Sequence, residues 1–133
     1  ETALIQPFIE EVLRFESPIQ NTLRQTTCDI EIAGTLVPNR ARVLLLNASA
    51  NRDEDHFRSP DRFDLTRKPN NHLSFGYGIH YCLGAELARL EAKVALETLL
   101  LECPTFERKT AEVARIKVLN LRGPQNLPLT FLS

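Results

Sequence analysis

The sequence is short of most features that announce a function by composition alone. It has no tryptophan and no methionine, so no initiating residue opens it. Sixteen Lys and Arg against seventeen Asp and Glu give a net charge of -1. That balance excludes a global pull toward nucleic acid or an anionic membrane. No apolar run is long enough to span a bilayer, and no signal peptide is visible. The cysteines, Cys28, Cys82 and Cys103, are odd in number and far apart. They form neither a disulfide framework nor a zinc spacing, which fits a reducing cytoplasm. There is no internal repeat, no low-complexity run and no workable Ser/His/Asp arrangement. What remains is the ordinary makeup of a soluble globular chain, 43% hydrophobic and 25% charged over 133 residues. That is one domain's worth of residues, with room for a modest core.

Against this plain background one stretch stands out, Leu73 to Glu91, reading LSFGYGIHYCLGAELARLE. It places Cys82 in a loop with Gly76, Gly78 and Gly84, just ahead of a strong helical pattern. Free N–H groups and the macrodipole at a helix start favour negative charge, which suits a thiolate. A thiolate is a nucleophile or a metal ligand. No partnering base lies beside Cys82 in sequence, whereas Leu73, Phe75, Ile79, Tyr81 and Leu83 make an apolar bed. A ligand is therefore the better reading. Gly78 and Gly84 let backbone approach a bulky group or the sulfur, and His80 can reach an acidic edge of the same cofactor. The loop is not a phosphate cradle, because it lacks the preceding strand and the Lys-Ser/Thr pair.

Phe75-Gly76-x-Gly78-x-His80-x-Cys82-x-Gly84, followed by Leu87-Ala88-Arg89, resembles the heme-binding loop of the cytochrome P450 family, the heme-thiolate monooxygenases. The resemblance implies heme b (iron protoporphyrin IX) as cofactor and Cys82 as the proximal thiolate ligand of its iron. Such a ligand pushes electron density toward iron and favours O–O cleavage. Phe75 would shield the sulfur, and His80 would meet a heme propionate. Without the pattern, a lone cysteine here would read as a buried structural residue at a tight turn.

From Thr2 to Phe15 the apolar positions share one helical face, and Ser17-Pro18 ends the helix. Glu11 and Arg14 lie three apart on it. In the family frame they resemble the ExxR pair of the K helix, completed by Arg62 of Pro60-Asp61-Arg62-Phe63. A carboxylate held between two guanidiniums would lock the meander under the heme. Pro18 to Arg24 would pass over the heme, making Ile19, Asn21 and Thr22 substrate-pocket candidates. Arg24, opening a strand, resembles the arginine that pairs with a propionate. Ala33-Gly34-Thr35 signals a hairpin between Cys28–Ile32 and Leu36–Val37. Arg42 to Leu46 reads as a central strand and Asn47 to Asp55 as a short polar helix. His56 to Arg67 reads as an irregular segment anchored by Phe57, Pro60 and Phe63. His56 and His72 carry no ligand spacing and read as surface residues.

Ala85 to Cys103 is the clearest helix, with an apolar face broad enough to be core; it is expected to pack on Glu1–Phe15. Cys103 reads as a small buried hydrophobe, and Pro104 ends the helix. Ile116–Leu119 and Leu127–Leu132 read as strands of a C-terminal hairpin, whose tip offers Leu119, Leu121 and Arg122 as weak pocket candidates. Lys68, Arg89 and Lys93 flank the cysteine loop in sequence and form a candidate docking patch for an electron donor, ferredoxin-like or flavin.

The fold expected is an α+β portion of the mainly α cytochrome P450 fold, with residues 1–133 as the C-terminal heme-binding third of a longer protein. The resemblance implies a soluble, cytoplasmic monooxygenase of bacterial type that hydroxylates a small organic substrate, with no nucleic-acid partner. The family's distal helix, with its acid and threonine for proton delivery, has no counterpart here. No catalytic residue is therefore assigned, and these residues alone are expected to show little turnover. A heme-binding or heme-sensing module, and a remnant that binds nothing, remain open alternatives.

Overall fold

The computed structural model describes residues 2–132, leaving Glu1 and Ser133 outside the described residues. Helix α1 runs Ile5–Phe15 and helix α3 Ala85–Glu102, with a four-residue helix α2 at Asn47–Ala50. Among the described residues six short strands make three separate antiparallel pairs. β1 (Thr22–Gln25) pairs with β4 (Arg42–Leu45), setting Arg24 opposite Val43. β2 (Ile30–Ile32) and β3 (Thr35–Val37) form a hairpin. Its turn holds Ala33 and Gly34 at φ 49° and 78°, the left-handed values a two-residue hairpin turn needs. β5 (Phe106–Arg108) pairs with β6 (Leu129–Phe131).

Two expectations change here. Ile116–Leu119 is no strand; the segment makes only single bridges, such as Val118 with Leu121. The strand opened near Arg24 also breaks after Gln25, and pairing resumes at Ile30 in another sheet. Both stretches lack a continuous partner to hold an extended run.

The interior is built as much from polar as from apolar groups. Among the described residues the buried hydrophobics are Ile5, Ile9, Phe57 and Ala85. Beside them Glu11, Arg14, Ser17, Asn47, Asn51 and Ser74 are buried; Arg14 pairs with Glu11, Ser17, Asn51 and Ser74 bond to one another, and Asn47 donates to the Leu73 carbonyl. Asn51 donates to the hydroxyls of Ser17 and Ser74 and accepts the Leu73 N–H, tying α1's exit to the segment before the cysteine loop. Buried polar groups hold only when so paired.

α3 differs from its expected role as a core helix. It packs on α1, but Leu87, Leu90, Val94 and Leu101 stay exposed. A single neighbouring helix can cover only one stripe of a face this broad. The accessible area is 10372 Å², against about 7,000 Å² for a closed monomer of this mass. Cys103 is half-buried and Cys28 is exposed. Among the described residues, no helix is long and apolar enough to cross a membrane.

Candidate functional site

Helix α1 carries the structural anchor of the site. Arg14 is fully buried, and each of its five N–H donors is used. Two bonds, 2.9 and 2.8 Å long, go to the two oxygens of Glu11. The other three go to the carbonyls of Asn51, Pro60 and Arg62. Glu11 also accepts the Asp64 N–H at 2.9 Å and Asn70 Nδ2 at 3.2 Å. Burial alone would raise the Glu11 pKa. The bonds from Arg14, the Asp64 amide and Arg67 outweigh it and hold the carboxyl below its ordinary range.

The second guanidinium on Glu11 is that of Arg67, at 3.3 Å and 7% exposed, not that of Arg62. Arg62 gives this cluster its backbone carbonyl, which accepts from both Arg14 and Arg67, while its side chain is exposed. The local turn, with Ser59 at φ 50° and Arg62 N–H bonded to Ser59, swings the Arg62 side chain outward and brings Arg67 back in. Phe57 lies between the two guanidiniums, 5.4 Å from Arg14 and 6.0 Å from Arg67, so cations and ring stabilise one another.

The cysteine loop is tied to this anchor through Asn51, whose carbonyl Arg14 holds and whose side chain bonds Ser74. Gly76 has φ 75°, and a Cβ there would stand 3.1 Å from the His80 carbonyl oxygen. The positive φ favours glycine, and the close carbonyl adds to the cost of any side chain there. Gly78 opens a single 3₁₀ turn, Gly78–His80. The Cys82 N–H then returns to the Phe75 carbonyl at 2.8 Å, and the Cys82 carbonyl accepts from Ala85 at the start of α3. Gly84 has ordinary backbone angles, and no protein atom lies within 4 Å of a Cβ built on it. Nothing within the chain demands glycine at that position.

Cys82 carries a free, exposed thiol. It lines a cavity of about 280 Å³ together with Arg24, His80, Phe75, Ile19 and Thr22. A second cavity, of about 340 Å³, shares Arg24, His80 and Thr22 with the first. Residues sixty positions apart in sequence therefore face one space. The strand β1 presents Arg24 to it, and the loop presents His80 and Cys82. Among the described residues the Arg24 guanidinium makes one bond, to the Leu23 carbonyl. Among the described residues neither Arg24 nor His80 has a carboxylate partner.

The substrate-pocket candidates separate into two groups. Ile19 and Thr22 line the Cys82 cavity. Asn21, Leu119 and Leu121 lie at a neighbouring junction, where Asn21 donates to the Leu119 carbonyl and Ile19 bridges Leu121. Arg122 pairs with Glu16 at 2.8 Å. The docking patch also divides. Lys68 and Lys93 are exposed, but Arg89 is turned inward onto Glu10.

His72, which reads as surface in the sequence, is buried, its side chain 3% exposed, with Nε2 3.0 Å from Glu10 Oε2. Burial lowers its pKa below the ordinary value, more strongly than Glu10 raises it. His56 is exposed, as expected. Sequence reasoning missed Arg67, Glu10 and the Ser17–Asn51–Ser74 group. Of these only Arg67 carried a signal, as a second arginine close behind Arg62 in a segment that must return to α1.

A sequence profile described as Cytochrome P450 matches residues 2–123. The biotin biosynthesis cytochrome P450 of Bacillus subtilis is 46% identical over 128 residues, covering 96% of this chain and 32% of that protein. The 6-deoxyerythronolide B hydroxylase of Saccharopolyspora erythraea is 42% identical over 123 residues, 91% of this chain and 30% of that protein. The crystal structure of P450BioI in complex with hexadec-9Z-enoic acid ligated acyl carrier protein superimposes with a TM-score of 0.95 at 45% identity. It covers 99% of this chain and 34% of that one. The chain spans about a third of the length of these relatives.

Proposed function

The chain belongs to the cytochrome P450 family, and from that premise we propose that its residues form the proximal half of a heme site in a monooxygenase. The observation that carries this reading is the shared cavity of Cys82, Arg24 and His80. The donor set suits heme b on three counts. A thiol without a disulfide partner offers a soft ligand to iron. Arg24 and His80 are cationic or donor groups at the same wall with no internal carboxylate, which suits two propionates. The lining between them includes Phe75, Ile19 and Leu13, which suits an apolar macrocycle. We therefore assign residues 1–133 as the C-terminal heme-binding part of a cytochrome P450 domain.

Bound there, heme supplies activation of dioxygen, with one oxygen atom passing to an organic substrate and the other leaving as water. The chain's own residues supply position and environment. Cys82, three residues ahead of α3, would hold the metal. The turn that bonds the Cys82 N–H to the Phe75 carbonyl sets how the sulfur is presented to the cavity. Arg24 and His80 orient the macrocycle through its acidic edge. Glu11, Arg14 and Arg67 fix the meander beneath, without touching the reacting atoms. Ile19 and Thr22 border the substrate space. Electrons come from a ferredoxin-like or flavin donor docking near Lys68 and Lys93.

The chain spans about a third of the length of its relatives, which supports a second statement. Residues 1–133 by themselves hold heme without productive turnover, and hydroxylation requires further polypeptide. Absorbance of the ferrous carbonyl complex tests the site. Thiolate ligation shifts the Soret band strongly to the red, and Cys82→Ser removes that shift. Retention of the shifted band in Cys82→Ser would refute the ligand assignment. Failure of the purified protein to take up heme would leave an interaction remnant as the surviving reading.

A further inference from the structure

Arg89 has a role that its place on a charged helix does not suggest. Its guanidinium is 19% exposed and forms a forked pair with Glu10 on α1, Nε to Oε1 at 2.8 Å and Nη2 to Oε2 at 3.2 Å. Its Nη1 donates to the Tyr81 hydroxyl at 3.0 Å and to Glu86 at 2.9 Å. The guanidinium carbon lies 4.6 Å from the centre of the Phe75 ring, and that ring meets the Tyr81 ring edge-on at 6.4 Å. Phe75 and Tyr81 bracket the turn that leads into Cys82, and the Cys82 N–H, next to Tyr81, closes that turn on the Phe75 carbonyl.

The far side of Glu10 is held as well. His72 Nε2 meets Glu10 Oε2 while its Nδ1 accepts the Ser74 N–H. The ring proton must then sit on Nε2 and be donated to Glu10. Two neighbouring carboxylates of one helix thus serve different partners. Glu11 holds the meander, and Glu10 holds the loop through Arg89 and His72.

We propose that Arg89 is a positioning residue that clamps Phe75 and Tyr81 around Cys82, and is not a docking cation for an electron donor. A planar fork is needed for this task, because one side chain must pair bidentately with Glu10, reach Tyr81 and stack on Phe75 together. A lysine keeps the charge and cannot do all three. For a docking surface the reverse holds, since a lysine supplies the same long-range charge. The consequence for the sulfur ligand rests on the heme-thiolate reading above; the clamp itself does not.

The test compares Arg89→Lys, Arg89→Gln and Glu10→Gln with wild type in the gene product expressed from its full reading frame. Amide hydrogen exchange at Cys82, read with and without heme, reports the loop directly. The clamp predicts exchange at least about tenfold faster in both Arg89 variants, since charge-assisted bonds of this kind hold the loop closed. Glu10→Gln gives a smaller rise, and the β2–β3 hairpin amides stay unchanged as a control for folding. In the heme-loaded protein the red-shifted carbonyl band of Arg89→Lys loses intensity to the unshifted form. Wild-type exchange and an intact band in Arg89→Lys would overturn the clamp. If wild type shows no red-shifted band, the heme-thiolate reading fails, and exchange at Cys82 still decides the clamp.

Discussion

Arg14 on α1 and Arg24 on β1 illustrate two uses of one side chain. Arg14 is fully buried, and every donor it has is taken by Glu11 or by a backbone carbonyl. Arg24 borders a cavity and spends a single bond on its own neighbour's carbonyl. A guanidinium saturated from within holds the chain to itself. One left with free donors beside a free thiol and a histidine is set up for a partner that the chain does not supply. The same contrast divides the two halves of the site, the meander anchor under α1 and the wall formed by β1 and the loop.

The contrast breaks most severely at the buried end. Arg14→Ala leaves Glu11 with Arg67 as its remaining guanidinium and takes the donor from the Asn51 and Pro60 carbonyls; it should cost about 3–5 kcal/mol, or abolish folding, and urea unfolding measures it. Arg24→Ala should leave that stability nearly unchanged and instead lower heme affinity about tenfold or more, the worth of a hydrogen bond between charged groups. Heme titration of the variant reads this loss, and an unchanged affinity would remove Arg24 from the site.

A smaller effect separates the two regions by pH. Burial raises the Glu10 pKa, but the bonds from Arg89 and His72 outweigh it, so Glu10, like Glu11, titrates below 4.5. His72 titrates below 6.5, chiefly through burial. In each case the unfolded chain binds more protons than the folded one as pH falls. The stabilisation is therefore complete above pH 6.5. It starts to decline below 6.5 as His72 of the unfolded chain takes up its proton, and declines further below 4.5. Urea midpoints across this range should fall in those two steps, and His72→Gln should lose the upper one. Smallest of all, Arg62→Ala should change stability by no more than about 0.5 kcal/mol, since only its carbonyl serves the anchor. A cost near that of Arg14→Ala would restore Arg62 to the cluster.

The fold around α1, the β2–β3 hairpin, α3 and the cysteine loop was legible because each depends on short-range spacing. Glu11 and Arg14 share a helical face whatever the rest of the chain does. Gly76 and Cys82 lie within one turn system. Choosing between Arg62 and Arg67 was a different problem, because a meander without periodicity hides which side chain turns inward. His72 and Arg89 were misread for a related reason. A lone histidine and a helix arginine look solvated until Glu10, more than sixty residues away from His72, is brought against both. The apolar face of α3 was read as core, but α1 leaves Leu87, Leu90, Val94 and Leu101 exposed, and how much of a face one neighbour covers is a matter of packing and not of pattern.

The central claim is a bond between Cys82 sulfur and heme iron. X-ray absorption at the iron edge of the heme-loaded protein measures it most directly. A sulfur neighbour at bonding distance from iron in wild type, lost in Cys82→Ser, is the expected result. An iron surrounded by nitrogen and oxygen alone in wild type would contradict it.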